Sequence, residues 1–121
     1  MAAPISASFN VLKGLDGISV ILINGLSVTA GNSDAVDIKL ANRYVSRRHF
    51  QVRLDHDVFY ISDLGSTNGT YLNGLKLSAN DETVIRDGDK VGLGVDQVLL
   101  TFSGPSKTVS LDTSEISQGT K

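Results

Sequence analysis

Along most of the chain the hydrophobic residues fall into short runs, each closed by glycine, asparagine, aspartate or serine. The runs "FNVL" (9–12), "SVILI" (19–23), "LSVTA" (26–30), "DIKL" (37–40), "HFQVRL" (49–54) and "VFYIS" (58–62) read as strands. So do "TYL" (70–72), "LKL" (75–77), "ETVI" (82–85), "DKVGL" (89–93) and "VLLTF" (98–102). They are rich in Val, Ile, Tyr, Phe and Thr, which suit a pleated, half-buried surface. "HFQVRL" alternates, placing Phe50, Val52 and Leu54 on one face and His49, Gln51 and Arg53 on the other. Asn24-Gly25 and Asn73-Gly74 sit between strands and predict hairpins. "DHD" (55–57) and "DGD" (87–89) read as further turns. No long window carries a helical apolar face, so the pattern predicts an all-β sandwich or barrel.

Both ends break this pattern. Residues 1–8 are mostly small, and "GPSKTVSLDTSEISQGTK" (104–121) scatters three large aliphatics among small and polar residues. Such segments bury too little to offset the entropy of ordering them. The expected organisation is a flexible N-terminus (1–8), one β-domain (9–103) and a flexible tail or linker (104–121). No internal repeat is evident. The whole chain of 121 residues has the length of one domain, and 40% hydrophobic content can supply a core.

Composition narrows the functional classes. There is no cysteine, so disulfides and thiolate metal sites are excluded. A net charge of −2 does not suggest a nucleic-acid or anionic-membrane partner. The longest apolar run, "ISVILI" (18–23), is far too short to span a bilayer, and no basic-then-apolar leader opens the chain. The expectation is a cytoplasmic domain with no cofactor. Two histidines and scattered aspartates lack the spacing of metal ligands.

The chemically specific content lies in three loops, "AGNSDAVDIKL" (30–40), "YVSRRHF" (44–50) and "DLGSTNGTYLNG" (63–74). Within "YVSRRHF", Ser46 and His49 read as a nucleophile with its base, or Ser46 and the arginines as an anion cradle. Arg43, Arg47 and Arg48 also read as a solvated basic corner, and "STNGT" as a plain turn.

Together these segments resemble the forkhead-associated (FHA) domain. The resemblance rests on Gly31, Asp37-Ile38, "VSRRH" (45–49), "DLGSTNGTYLNG" (63–74), "DGDKVGLG" (87–94) and a closing strand ending at Phe102, and it covers roughly residues 9–103. It implies a two-sheet antiparallel β-sandwich of the FHA/SMAD-like type with about eleven strands. It also implies a non-catalytic module that binds phosphothreonine peptides in Ser/Thr-kinase signalling or regulated complex assembly. A phosphothreonine offers about −1.5 to −2 charge and three acceptor oxygens. On the family pattern Ser46, through its hydroxyl and backbone N–H, and Arg47 face the phosphate. Thr67 lines the groove and Asn68 holds the peptide backbone. Tyr44 reads the ligand residue three after the phosphothreonine, with Arg43 beside it. Gly31, His49 and Gly69 shape the loops.

One position departs from the family pattern: the arginine that usually follows Gly31 is Asn32, and no Arg or Lys stands between Lys13 and Lys39. Asn32 reads either as a turn residue or as part of a retuned phosphate site. The alternative function is a degenerate FHA-like scaffold that binds proteins without phosphate. Thr108 and Thr113 each precede an aliphatic residue by three positions. If phosphorylated, they suggest self-association through the tail.

Overall fold

The computed structural model describes residues 7–104. All eleven predicted runs are strands: β1 (Ala7–Lys13), β2 (Val20–Ile23), β3 (Ser27–Gly31), β4 (Ile38–Lys39), β5 (Phe50–Asp55) and β6 (Val58–Asp63), then β7 (Thr70–Leu72), β8 (Leu75–Lys76), β9 (Thr83–Ile85), β10 (Lys90–Leu93) and β11 (Val98–Ser103). They form a six-stranded sheet, β2-β1-β11-β10-β7-β8, and a five-stranded sheet, β4-β3-β5-β6-β9. Pairing is antiparallel except between β3 and β4, where Ala30 faces Ile38 in parallel register.

Strand β1 begins earlier than the hydrophobic pattern suggested. Ala7 is buried and pairs with Ile23, and Ser8 pairs with Leu22, so these two residues belong to the sandwich rather than to a flexible N-terminus. The remainder of that segment, and the tail with Thr108 and Thr113, lie outside the described residues.

The core follows from strand alternation. Phe50 and Val52 are buried and Leu54 is partly so, whereas Gln51 and Arg53 turn outward. All four phenylalanines of the chain meet in the interior. Phe9 of β1 packs edge-on against Phe50 of β5 (5.7 Å between centroids) and Phe102 of β11 (5.5 Å), and Phe102 packs against Phe59 of β6 (5.3 Å). These contacts join the two sheets and favour one fixed packing.

The two Asn-Gly pairs have different fates. Asn73 (φ 50°) and Gly74 (φ 86°) form the tight turn of the β7–β8 hairpin, with Leu72 opposite Leu75. Asn24-Gly25 is no hairpin: β2 pairs with β1 and β3 with β5, so this turn carries the chain from one sheet to the other. "DHD" does close a hairpin, with His56 (φ 49°) and Asp57 (φ 68°) both held in the left-handed region.

Candidate functional site

The end of β3, the loop from β4 to β5 and the loop from β6 to β7 meet at one end of the sandwich. Their backbones approach closely. A Cβ at Gly31 would collide with the carbonyl of Arg47, so only glycine fits there. Asn32 N–H donates to the Ser46 carbonyl (2.9 Å), and His49 N–H donates to the Ala30 carbonyl (2.8 Å).

His49 is fully buried, contrary to the outward position that alternation gave it. Strand β5 starts only at Phe50, and the loop between β6 and β7 meets the imidazole through the Gly69 carbonyl. The ring Nδ1 accepts the Ser46 N–H (3.0 Å). That bond leaves Nε2 as the protonated nitrogen, which donates to the Gly69 carbonyl (3.0 Å). The neutral ring thus ties two loops together. Burial pushes its pKa below the ordinary value, outweighing the bond to Gly69 and the charge of Asp63. This geometry answers two questions left by the sequence. The Ser46 N–H is engaged and does not face solvent, and the Ser46 hydroxyl is not the atom that His49 contacts. Ser46 and His49 do not form a nucleophile–base pair.

The loop after β6 is organised by a residue to which the sequence reading gave no role. Asp63 is buried. Its Oδ2 accepts the N–H groups of Gly65 (2.9 Å) and Ser66 (3.1 Å). Its Oδ1 accepts the hydroxyls of Ser66 (2.5 Å) and Thr70 (2.7 Å). Burial disfavours its charge, yet these hydrogen bonds prevail and hold the carboxyl below its usual range. Ser66 Oγ in turn accepts the Gly69 N–H (3.0 Å). Gly69 has φ +88°, a conformation that other residues resist. An aspartate two residues before a glycine is a familiar local turn former, which is the signal that could have exposed it.

Thr67 and Asn68 stand on the exposed crest of this loop. Thr67 N–H donates to Ser46 Oγ (3.0 Å), so the serine oxygen acts as acceptor and its own proton is not used in this bond. Asn68 Nδ2 donates to the Tyr44 carbonyl (2.9 Å). Arg43 stacks over the Tyr44 ring at 5.0 Å and donates to its hydroxyl (3.0 Å). Arg47 and Arg48 are exposed.

Asn32 faces a third task that neither sequence reading foresaw. Its side-chain amide donates to the Asn42 carbonyl (3.1 Å). Asn42 is itself a hub: its amide donates to the Gly14 carbonyl (2.9 Å), and its Oδ1 accepts the Tyr44 N–H (2.8 Å). The Asn32 side chain therefore braces the loop that carries Tyr44 and Ser46. Among the described residues, no group of three His, Asp or Glu could hold a metal ion, and no helix is long and apolar enough to cross a membrane.

The three polar loops thus gather at one end of the β-sandwich, joined there by backbone and side-chain hydrogen bonds. A family model for the FHA domain matches residues 28–94. Glycogen accumulation regulator GarA of Mycobacterium tuberculosis is 36% identical over 104 residues, 86% of this chain and 62% of GarA. The oxoglutarate dehydrogenase inhibitor of Corynebacterium efficiens is 33% identical over 101 residues, 84% of this chain and 68% of that protein. Among solved structures, the N-terminal FHA domain from S. cerevisiae Rad53p in complex with a phosphothreonine peptide superposes with a TM-score of 0.72. It is 26% identical and covers 86% of this chain and 97% of that one. The chain belongs to the FHA domain family, whose members are non-catalytic interaction modules. It spans just under two thirds of the length of GarA.

Proposed function

We propose that this chain is a phosphothreonine-peptide-binding module serving Ser/Thr-kinase signalling or the assembly of kinase-regulated complexes. The carrying observation is the joint between two loops, where Ser46 Oγ accepts the Thr67 N–H. That bond uses the Ser46 oxygen as acceptor and leaves its hydroxyl proton for a phosphate oxygen, with the exposed Arg47 next in sequence. Arg47 supplies a charge-assisted bond to a phosphate oxygen. Asn68, with its amide donating to the Tyr44 carbonyl, presents its oxygen to the N–H groups of an extended peptide. The Tyr44–Arg43 stack lines the position three residues beyond the phosphothreonine. The folded unit is the β-domain, its ligands are phosphorylated proteins, and its compartment is the cytoplasm. The resemblance to an FHA domain in complex with a phosphothreonine peptide supports this reading.

Affinity is set by what replaces the family arginine. Asn32 brings no charge, and one of the two N–H donors of its amide is engaged by the Asn42 carbonyl. Losing one charge-assisted bond costs about 1.5–3 kcal/mol, or roughly one to two orders of magnitude in affinity. The test is titration with a phosphothreonine peptide library and its unphosphorylated counterpart. Equal or absent binding of both sets would refute the proposal. The missing charge at position 32 favours a second reading, a scaffold that binds proteins without phosphate. Asn32→Arg separates the two: on the first reading it raises phosphopeptide affinity at least tenfold, and on the second it raises nothing.

A further inference from the structure

Strand β2 lies at the edge of the six-stranded sheet and outside the segment that the family model matches. Among the described residues no strand pairs with its outer side. Most of the exposed large hydrophobics gather around it: Leu12 (53% exposed), Ile18 (39%), Val20 (52%), Leu22 (66%) and Leu26 (70%). Proteins that need to stay monomeric usually place a lysine, a proline or a bulge on such an edge. Here no charged residue stands between Asp16 and Asp34, and β2 contains no proline.

The backbone of β2 leaves a defined set of groups unpaired at the free edge. Val11 N–H donates to the Ser19 carbonyl (2.8 Å), and Ile21 pairs with Phe9 in the same register. Odd-numbered residues therefore direct their backbone groups at β1, and the N–H and C=O of Val20 and Leu22 point to the free edge. A second copy related by a two-fold axis satisfies these groups completely. With Ile21 opposite Ile21 of the second copy, Val20 stands opposite Leu22, and each such pair exchanges two hydrogen bonds. Residues of like parity then meet, so the outward Val20 and Leu22 side chains cover one another. The uncharged stretch sets no like charges against each other across the axis.

We propose that the free edge of β2 is a self-association surface at which two copies of this chain pair antiparallel, Ile21 against Ile21. The covered apolar area is modest. A fully buried aliphatic side chain corresponds to roughly 100 Å², so the patch falls short of the ~1,000 Å² typical of a stable interface. The dimer is therefore a weak one, populated only at high protein concentration. It pairs two peptide-binding ends in one particle, which raises avidity for doubly phosphorylated partners.

The experiment is sedimentation velocity on the full, phosphatase-treated chain from micromolar to millimolar concentration. Phosphatase treatment removes any contribution from a phosphorylated tail. Concentration-dependent dimerisation is expected, weakened at least tenfold by Leu22→Lys and unchanged by Leu75→Lys, an equally exposed leucine on β8. Because the chain has no cysteine, Ile21→Cys adds a test of register: mild oxidation gives a covalent dimer, whereas Leu75→Cys stays monomeric. A wild-type monomer at millimolar concentration would overturn the proposal. So would a Leu22→Lys variant that dimerises like wild type, or cross-linking by Leu75→Cys as ready as by Ile21→Cys.

Discussion

Replacing Asp63 by asparagine keeps the shape of the side chain but turns one carboxylate oxygen into a donor. In the wild type Oδ2 receives the N–H groups of Gly65 and Ser66, while Oδ1 receives two hydroxyls. Asparagine retains its oxygen for the hydroxyls and sets its NH₂ against two N–H groups. Hydrogen bonds to a charged group contribute about 1.5–3 kcal/mol each. Gly65 is exposed and Ser66 half-buried, so water compensates part of the loss. The expected cost is about 2–4 kcal/mol, against a total stability of roughly 5–15 kcal/mol for a domain of this kind. Urea denaturation measures it: with a slope near 1–1.5 kcal/mol/M, the midpoint falls by about 2 M at unchanged slope. Phosphopeptide affinity falls too, because Thr67 and Asn68 ride on the same loop. A midpoint shift below about 0.5 M would refute the assignment of Asp63 as the organiser of that loop.

Acidification acts through His49 with a definite sign. Its folded-state pKa lies below 6.5, so the unfolded chain binds more protons as pH drops. The stability it contributes is complete above about pH 6.5 and declines as pH falls towards the lower folded value. Urea midpoints at pH 7.5 and 5.5 measure the decline, and His49→Gln flattens it. The lowered pKa of Asp63 adds a loss of the same sign below about pH 4. Gly31→Ala forces the Arg47 carbonyl away from β3 and is expected to cost about 1–3 kcal/mol, with weaker peptide binding in the same titration. Exchanging His56-Asp57 for Asn-Gly relieves two left-handed residues at the β5–β6 turn. It should raise stability by about 1 kcal/mol, read as a higher melting temperature with unchanged peptide affinity.

The strands were legible because each is a local statement: a short run of β-branched and aromatic residues closed by turn formers. All eleven formed, and the four phenylalanines fell inward as alternation required. The loop motifs were legible for the same reason, since "VSRRH" and "DLGSTNG" are contiguous. What a sequence states only locally it left undecided. An Asn-Gly pair specifies a turn, not the sheet that the next strand joins, so Asn73-Gly74 made a hairpin and Asn24-Gly25 a crossover. Alternation placed His49 outside because it counts residues along one strand and has no knowledge of the β6–β7 loop that meets it.

The roles of Asn32, Asn42 and Ser46 likewise depend on partners distant in the chain. Asn32 reaches Asn42, Asn42 reaches Gly14, and the Ser46 hydroxyl reaches Thr67. Residue types and their spacing were enough to announce an FHA sandwich and to mark position 32 as the departure. Only the packed structure could decide that the Asn32 amide braces a neighbouring loop. A hydrogen bond is satisfied by whichever group the fold brings within about 3 Å, and that group need not be near in sequence.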